Sequence, residues 1–155
     1  MDKHIKKSLN NMSWINKQIA LSGAFTDQDI PMLKDYGIKA VLDIRSERKD
    51  NEELLKEQGM DYLQVKVKDT FSPSYDQLEM AINFVEPLLD RGGKVLIHCQ
   101  NGCGRSPLVV VAILIRQGMK TSDAQQLVKQ RHPKCGFTDN QQYFLDNEID
   151  KFLKF

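Results

Sequence analysis

Cys99 and Arg105 are separated by five residues, Gln100-Asn101-Gly102-Cys103-Gly104. That spacing is long enough to curl the backbone into a ring of N–H donors. Gly102 and Gly104 permit the dihedrals such a ring demands. Arg105 adds a planar fork that can hold two oxygens of a tetrahedral oxyanion at once. A cysteine at the centre of this positive field would be held as a thiolate, the nucleophilic form. Ser106 can donate its hydroxyl to that sulfur and stabilise the thiolate when it leaves a covalent intermediate. His98 is better suited to orienting the loop through its ring nitrogens than to acting as a base, since a thiolate needs none.

The neighbouring elements would place these groups well. Lys94 to Ile97 reads as a short buried strand, and Ser106 to Gln117 as a helix apolar on nearly every face. Such a helix belongs in a core. Open α/β sheets bind ligands at the carboxyl ends of their strands. Helix N-termini attract anions through free N–H groups and the helix dipole. An anion site is therefore expected at residues 99–105.

Further strands are expected at 19–23, 39–44 and 62–67. Further helices are expected from Thr26 or Asp27 to Tyr36, over 50–58, and over 78–89 with Pro87 kinking or shortening it. Two more begin at Thr121 or Ser122 and at Thr138 or Asp139, the last with an apolar stripe of Phe144, Leu145, Ile149, Phe152 and Leu153. Strands alternating with helices predict an α/β fold: a central, mostly parallel sheet of about five strands with helices on both faces.

The segment His98-Cys99-Gln100-Asn101-Gly102-Cys103-Gly104-Arg105-Ser106 resembles the His-Cys-x5-Arg-Ser/Thr signature of cysteine-dependent protein-tyrosine/dual-specificity phosphatases. The similarity runs from about Trp14 to Phe152 and is greatest to small atypical dual-specificity members. Residues 104–120 also resemble the phosphatases of regenerating liver, which usually carry Ala where Ser106 stands. Pro107 departs from the Gly common at its position, but Pro suits the first turn of a helix.

The resemblance implies a phosphocysteine mechanism without metal or cofactor. Cys99 would be the nucleophile and Arg105 the clamp, with Ser106 assisting. Phosphate would be bound by Gln100, Asn101, Gly102, Cys103, Gly104 and Arg105. It also implies an acid on a loop upstream, and Asp69 follows the expected strand 62–67. Asp76 is the rival, better read as a first-turn carboxylate of the next helix. Family members place a polar loop near Gln141 and Gln142 against the active site, but here both glutamines read as a solvated helix face.

Arg45 ends a strand on the same sheet edge, where it would bind substrate or pair with Asp43 or Glu47. Lys66, Lys68, Arg131 and Lys134 would add positive potential around the mouth. Cys103 is a candidate for reversible disulfide formation with Cys99, although short strained loops rarely meet disulfide geometry. Cys135 reads as a packed thiol and Trp14 as a packing anchor.

The 155 residues fit one domain, with 1–13 loosely ordered. A net charge of +1 gives no signal for nucleic acid. No apolar run is long enough to span a bilayer, and neither a signal region nor a prenylation Cys is present. Three cysteines, an odd count, argue against a disulfide framework. A cytoplasmic protein without a membrane anchor is expected. Its substrates would be phosphorylated proteins or peptides, with oxyanions such as phosphate, sulfate and vanadate binding the loop. The alternatives are a phosphoinositide or RNA 5′-phosphate substrate, a catalytically weak phosphate-binding module, and an arsenate reductase with Cys103 as resolving thiol.

Overall fold

The computed structural model describes residues 12–153. Five strands form one sheet in the order β1-β2-β5-β3-β4. They are β1 (Ser13–Trp14), β2 (Ile19–Ser22), β3 (Ile38–Asp43), β4 (Asp61–Gln64) and β5 (Lys94–His98). Only β1 runs antiparallel; β2, β5, β3 and β4 are mutually parallel. The helices are α1 (Ile30–Asp35), α2 (Glu52–Glu57), α3 (Tyr75–Asp90), α4 (Arg105–Arg116), α5 (Thr121–Arg131), α6 (Asp139–Asn147) and α7 (Ile149–Leu153). The mixed α/β architecture expected from the sequence is therefore the one observed.

The sheet is covered on both faces. Ala20, Val41, Tyr62 and Leu96 point to one side and pack with Ile30 and Leu33 of α1 and Leu55 of α2. Ile19, Leu21, Leu42, Val95 and Ile97 point to the other and pack with α3, α4, α6 and α7. The alternation within each strand is the two-residue period of a pleated sheet buried on both sides. β5 lies at the centre, between β2 and β3. In α4 every residue from Arg105 to Leu114 is buried, as its all-round apolarity requires.

Several boundaries differ from expectation. The helix expected over 26–36 opens with a separate 3-10 turn (Asp27–Asp29), and α1 begins only at Ile30. α2 starts after Asn51, whose side chain caps Leu54 N. Asp50 is thereby left free to turn inward, where it is buried. β4 stops at Gln64 because Val67 N bonds back to Val65 O, ending the ladder, while Val65 and Val67 stay buried. Pro87 does not shorten α3, which runs on to Asp90. The lost bond lies in the last turns, and burial of Val85 and Leu89 holds the helix on either side.

At α5 the N-cap is Lys120, and the Thr121 hydroxyl instead donates to Asp150 Oδ1 at 2.6 Å. The last expected helix breaks at Glu148 into α6 and α7. Trp14 is half-buried against the α1 side of the core. Of the segment expected to be loosely ordered, 1–13, residues 1–11 lie outside the described residues and Ser13 begins β1. No helix among the described residues is long and apolar enough to cross a membrane.

Candidate active site

β5 ends at His98, and the chain then turns into the 99–104 loop that opens α4. Three carbonyls of this loop are spent on donors outside it. Gln100 O accepts from Ala24 N at 2.9 Å and Cys103 O from Gly136 N at 2.8 Å. Gly102 O lies 2.7 Å from His132 Nε2. A trans peptide points its N–H opposite its C=O. The N–H groups of Asn101, Cys103 and Gly104 therefore face away from these tethers. Gly102 sits at φ +72, and a Cβ there would lie 2.8 Å from Gly23 N and Ser22 C. Only glycine fits this close approach of two backbones.

Cys99 lies at the floor of the loop, 2% exposed. Its Sγ is 3.1 Å from Ser106 Oγ. Arg105 is also 2% exposed. Its Nη1 donates to Glu47 Oε1 at 2.7 Å and to Val67 O at 3.0 Å, and its Nη2 donates to Glu47 Oε2 at 2.8 Å. A guanidinium has five N–H groups. Three are thus spent on anchoring, and the Nε–Nη2 edge retains two parallel donors, the fork that suits an oxyanion. Burial works against the Arg105 charge, but Glu47, then Cys99 and Asp69, outweigh it and raise its pKa above the ordinary value. Reciprocally, the hydrogen bonds from Arg105 hold the Glu47 carboxyl at about 2.

Beneath the loop is a buried ion network. His98 Nε2 lies 2.5 Å from Asp50 Oδ2, and its Nδ1 lies 3.3 Å from Cys99 O. Arg45 donates to Asp43 Oδ1 at 2.8 Å, to Asp50 Oδ1 at 3.0 Å and to Gln100 Oε1 at 3.2 Å. Tyr62 donates to Asp43 Oδ2 at 2.7 Å. Burial, reinforced by that bond, pushes the Tyr62 phenol far up, so it remains a donor. Arg45 therefore pairs with Asp43 and Asp50 and is withdrawn from the surface. Asp43, Asp50 and His98 have the grouping of a metal triad, but the Arg45 guanidinium already supplies the cation between the two carboxylates.

Asp69 sits on the loop after β4, 68% exposed, with Oδ1 3.6 Å from Arg105 Nη2. Oδ1 also accepts from Thr70 N at 2.9 Å. Asp76 lies in the first turn of α3, as expected of the rival carboxylate. Of the basic residues, Lys68 covers the Phe71 ring at 5.5 Å, and Lys134 is close enough to Cys103 and His132 to affect both. Arg131 instead lines a separate hollow with Trp14, Lys17 and Lys94. Cys99, Cys103 and Cys135 are all free thiols. Burial, then the nearby Cys99, raises the Cys103 thiol, and burial pushes Cys135 to about 11.

The family model described as "Dual specificity phosphatase, catalytic domain" matches residues 21–147. The chain belongs to the dual-specificity phosphatase family. It is 33% identical to the dual-specificity protein phosphatase Mpk3 of Drosophila melanogaster, over 73% of this chain and 28% of that protein. It is 28% identical to the phosphatidylglycerophosphate phosphatase PTPMT1 of Arabidopsis thaliana, over 62% of this chain and 29% of that protein. The chain thus spans under a third of the length of these curated relatives. Among solved structures, Tk-PTP in its active form superposes with a TM-score of 0.82 at 25% identity, covering 91% of this chain and 97% of the other. PTPMT1 in complex with PI(5)P superposes at 0.83 and 18% identity, covering 91% and 96%.

In this phosphatase domain, four residues of the site were not apparent from the sequence as site residues. Glu47 reads in the sequence only as a partner of Arg45, and nothing in the sequence marks Asp50 or His132. A carboxylate a few residues past the end of β3, on the carboxyl edge of the sheet, is the signal that points to Glu47. Gln141 corrects an explicit expectation. It is not on a solvated face but 1% exposed, and its amide occupies the space that a Cβ on Gly104 would need, 2.5 Å from Oε1. Gln142 is the glutamine turned outward, bonding Gln125 and Asp146.

Proposed function

We propose that this domain hydrolyses phosphate monoesters, with phosphotyrosine and phosphoserine/phosphothreonine side chains as substrates, through a phosphocysteine. The observation that carries the reading is the Nε–Nη2 edge of Arg105, fixed by Glu47 on the adjoining Nη1–Nη2 edge, with a sulfur 3.1 Å from Ser106 Oγ at the floor of the same loop.

In the first step the Cys99 thiolate attacks phosphorus, and the bond to the leaving oxygen breaks. Arg105 and the amides of the 99–104 loop hold the three equatorial oxygens, and Asp69 gives its proton to the leaving oxygen. In the second, Asp69 takes a proton from water, the water oxygen bonds to phosphorus, and the thiolate departs with the Ser106 hydroxyl donating to it. Donors fixed before the charge develops supply most of the acceleration. His98, held between Asp50 and Cys99 O, positions the nucleophile.

The substrate reading follows from the loop and the mouth. Gln100, Asn101 and Cys103 bring no cation to match a polyanionic head group. Asp69 and Phe71, at 68% and 47% exposed, leave the mouth open enough for short and long phosphorylated side chains alike. The likeness to PTPMT1 keeps phospholipid monoesters as the competing class.

The test is hydrolysis of p-nitrophenyl phosphate, abolished in Cys99→Ser, followed by phosphopeptides, phosphoinositides and RNA 5′-ends side by side. Turnover concentrated on phosphopeptides supports the reading. Turnover concentrated on phosphoinositides or RNA ends replaces the substrate, and hydrolysis that survives Cys99→Ser removes the mechanism.

A further inference from the structure

The loop that carries Asp69 is a tight turn in a costly conformation. Phe71 N bonds to Lys68 O at 3.0 Å, which places Asp69 and Thr70 at the two central positions. Thr70 has φ +70, alone among the described non-glycine residues. A β-branched residue is poorly suited to that region, where glycine or asparagine is the usual occupant. Such a conformation persists only where its surroundings over-determine it.

The surroundings that do so belong to α6. The Thr138 hydroxyl donates to Thr70 O at 2.8 Å. The same oxygen accepts from Gln141 N at 3.2 Å as the N-cap of α6, so both faculties of the hydroxyl are in use. Gln141 Nε2 donates to Phe71 O at 3.2 Å, and Gln141 Oε1 accepts from Thr138 N at 3.0 Å. The side chain of Gln141 is buried over Gly104, so one amide touches the acid turn, the helix cap and the phosphate loop together. Two successive carbonyls directly after Asp69 are thereby pinned.

We propose that the N-terminal cap of α6, Thr138 with Gln141, is a latch that holds the acid turn against the phosphate loop, making both positioning residues for Asp69. The inference rests on Asp69 being the general acid. Without the latch, the peptide between Asp69 and Thr70 is free to flip to a turn with negative φ at Thr70, which carries the Asp69 carboxyl away from the leaving oxygen.

Proton donation matters most when the leaving group is poor, so the test compares phenyl phosphate with p-nitrophenyl phosphate. Asp69→Asn should slow phenyl phosphate about 100-fold, the scale of a lost general acid, and p-nitrophenyl phosphate far less. Thr138→Val should show the same selectivity at a smaller size, and Thr138→Ser, which keeps the hydroxyl, should restore wild-type rates. Thr138→Asp keeps an N-cap acceptor but has no proton for Thr70 O. It should melt like wild type and still lose phenyl phosphate selectively, separating the latch from helix stability. Thr70→Gly should shrink the effect of Thr138→Val, because glycine holds the turn unaided. Selective loss in Asp69→Asn with equal or no loss on both esters in the Thr138 variants overturns the latch alone. No selectivity in Asp69→Asn removes the acid assignment and the latch with it.

Discussion

The Glu47 carboxylate grips both terminal nitrogens of Arg105, at 2.7 and 2.8 Å, along the Nη1–Nη2 edge, next to the Nε–Nη2 edge. The clamp is therefore itself clamped. A long side chain with several rotatable bonds is fixed before an oxyanion arrives, so little ordering remains to be done at binding. Glu47→Ala leaves a buried guanidinium without its carboxylate. The expected outcome is a fall in kcat/KM of about 100-fold or more, the scale of losing one charge-assisted contact in a pre-organised site, with weaker inhibition by vanadate. Near-normal vanadate inhibition in that variant would mean Arg105 is held by Val67 O alone.

The same pair sets a pH dependence of stability. Arg105 holds the Glu47 carboxyl at about 2, below its ordinary 4.5. A carboxyl depressed on folding contributes stability that is complete above the ordinary value and lost as pH falls through the folded one. The melting temperature of wild type should therefore exceed that of Glu47→Gln by a constant margin above about pH 4.5. The margin should shrink steadily as pH approaches 2. The Glu47 side chain is 39% exposed, so water and salt screen part of the effect and raising ionic strength should narrow the margin. A margin independent of pH from 6 to 2 contradicts the pairing.

Much of this was legible in the chain because it was encoded locally. Apolar runs of the right length gave β2 to β5 and α4 but not the two-residue β1, and the glycines and spacing of 98–106 gave the loop. What escaped was encoded in pairings across the sheet. Nothing near His132 in sequence says that it spans Ser13 and Gly102, 119 and 30 residues away. Gln141 read as surface because its helix is amphipathic and polar at that end. Only the missing Cβ of Gly104, 37 positions earlier, makes room for it. Asp50 reads as the first residue of the 50–58 helix, yet it stands outside α2 and turns to Arg45 and His98. Buried polar groups choose partners in space, and a single sequence does not order that space.

The two loop glycines should answer differently to the same methyl group. At Gly102 the added Cβ meets backbone on the neighbouring Ser22-Gly23 segment at 2.8 Å, and φ +72 is itself unfavourable to alanine. Neither conflict can relax, so Gly102→Ala should cost about 2–4 kcal/mol and distort the ring. At Gly104 the added Cβ meets the far end of the Gln141 side chain, which can swing away. Gly104→Ala should melt within a few degrees of wild type yet lose activity, because the amide displaced is the one bonded to Phe71 O. Chemical denaturation and p-nitrophenyl phosphate rates, measured on both variants, check the contrast. Equal loss of stability in the two would show that Gln141 is as immovable as backbone.

Ser106 Oγ lies 3.1 Å from Cys99 Sγ and cannot reach the leaving group of the first step without abandoning the sulfur. Its effect should fall on the second step, when the thiolate is expelled from phosphorus. A hydrogen bond to a charged group contributes about 1.5–3 kcal/mol, so Ser106→Ala should lower kcat roughly 10- to 150-fold. Cleavage of the first bond is nearly spared, and p-nitrophenolate should appear in a burst equal to the enzyme present, followed by a slow steady rate. Thr in place of Ser keeps the hydroxyl and should remove the burst. Ser106→Ala with slow, linear release from the first turnover would place the hydroxyl in thiolate activation instead of thiolate departure.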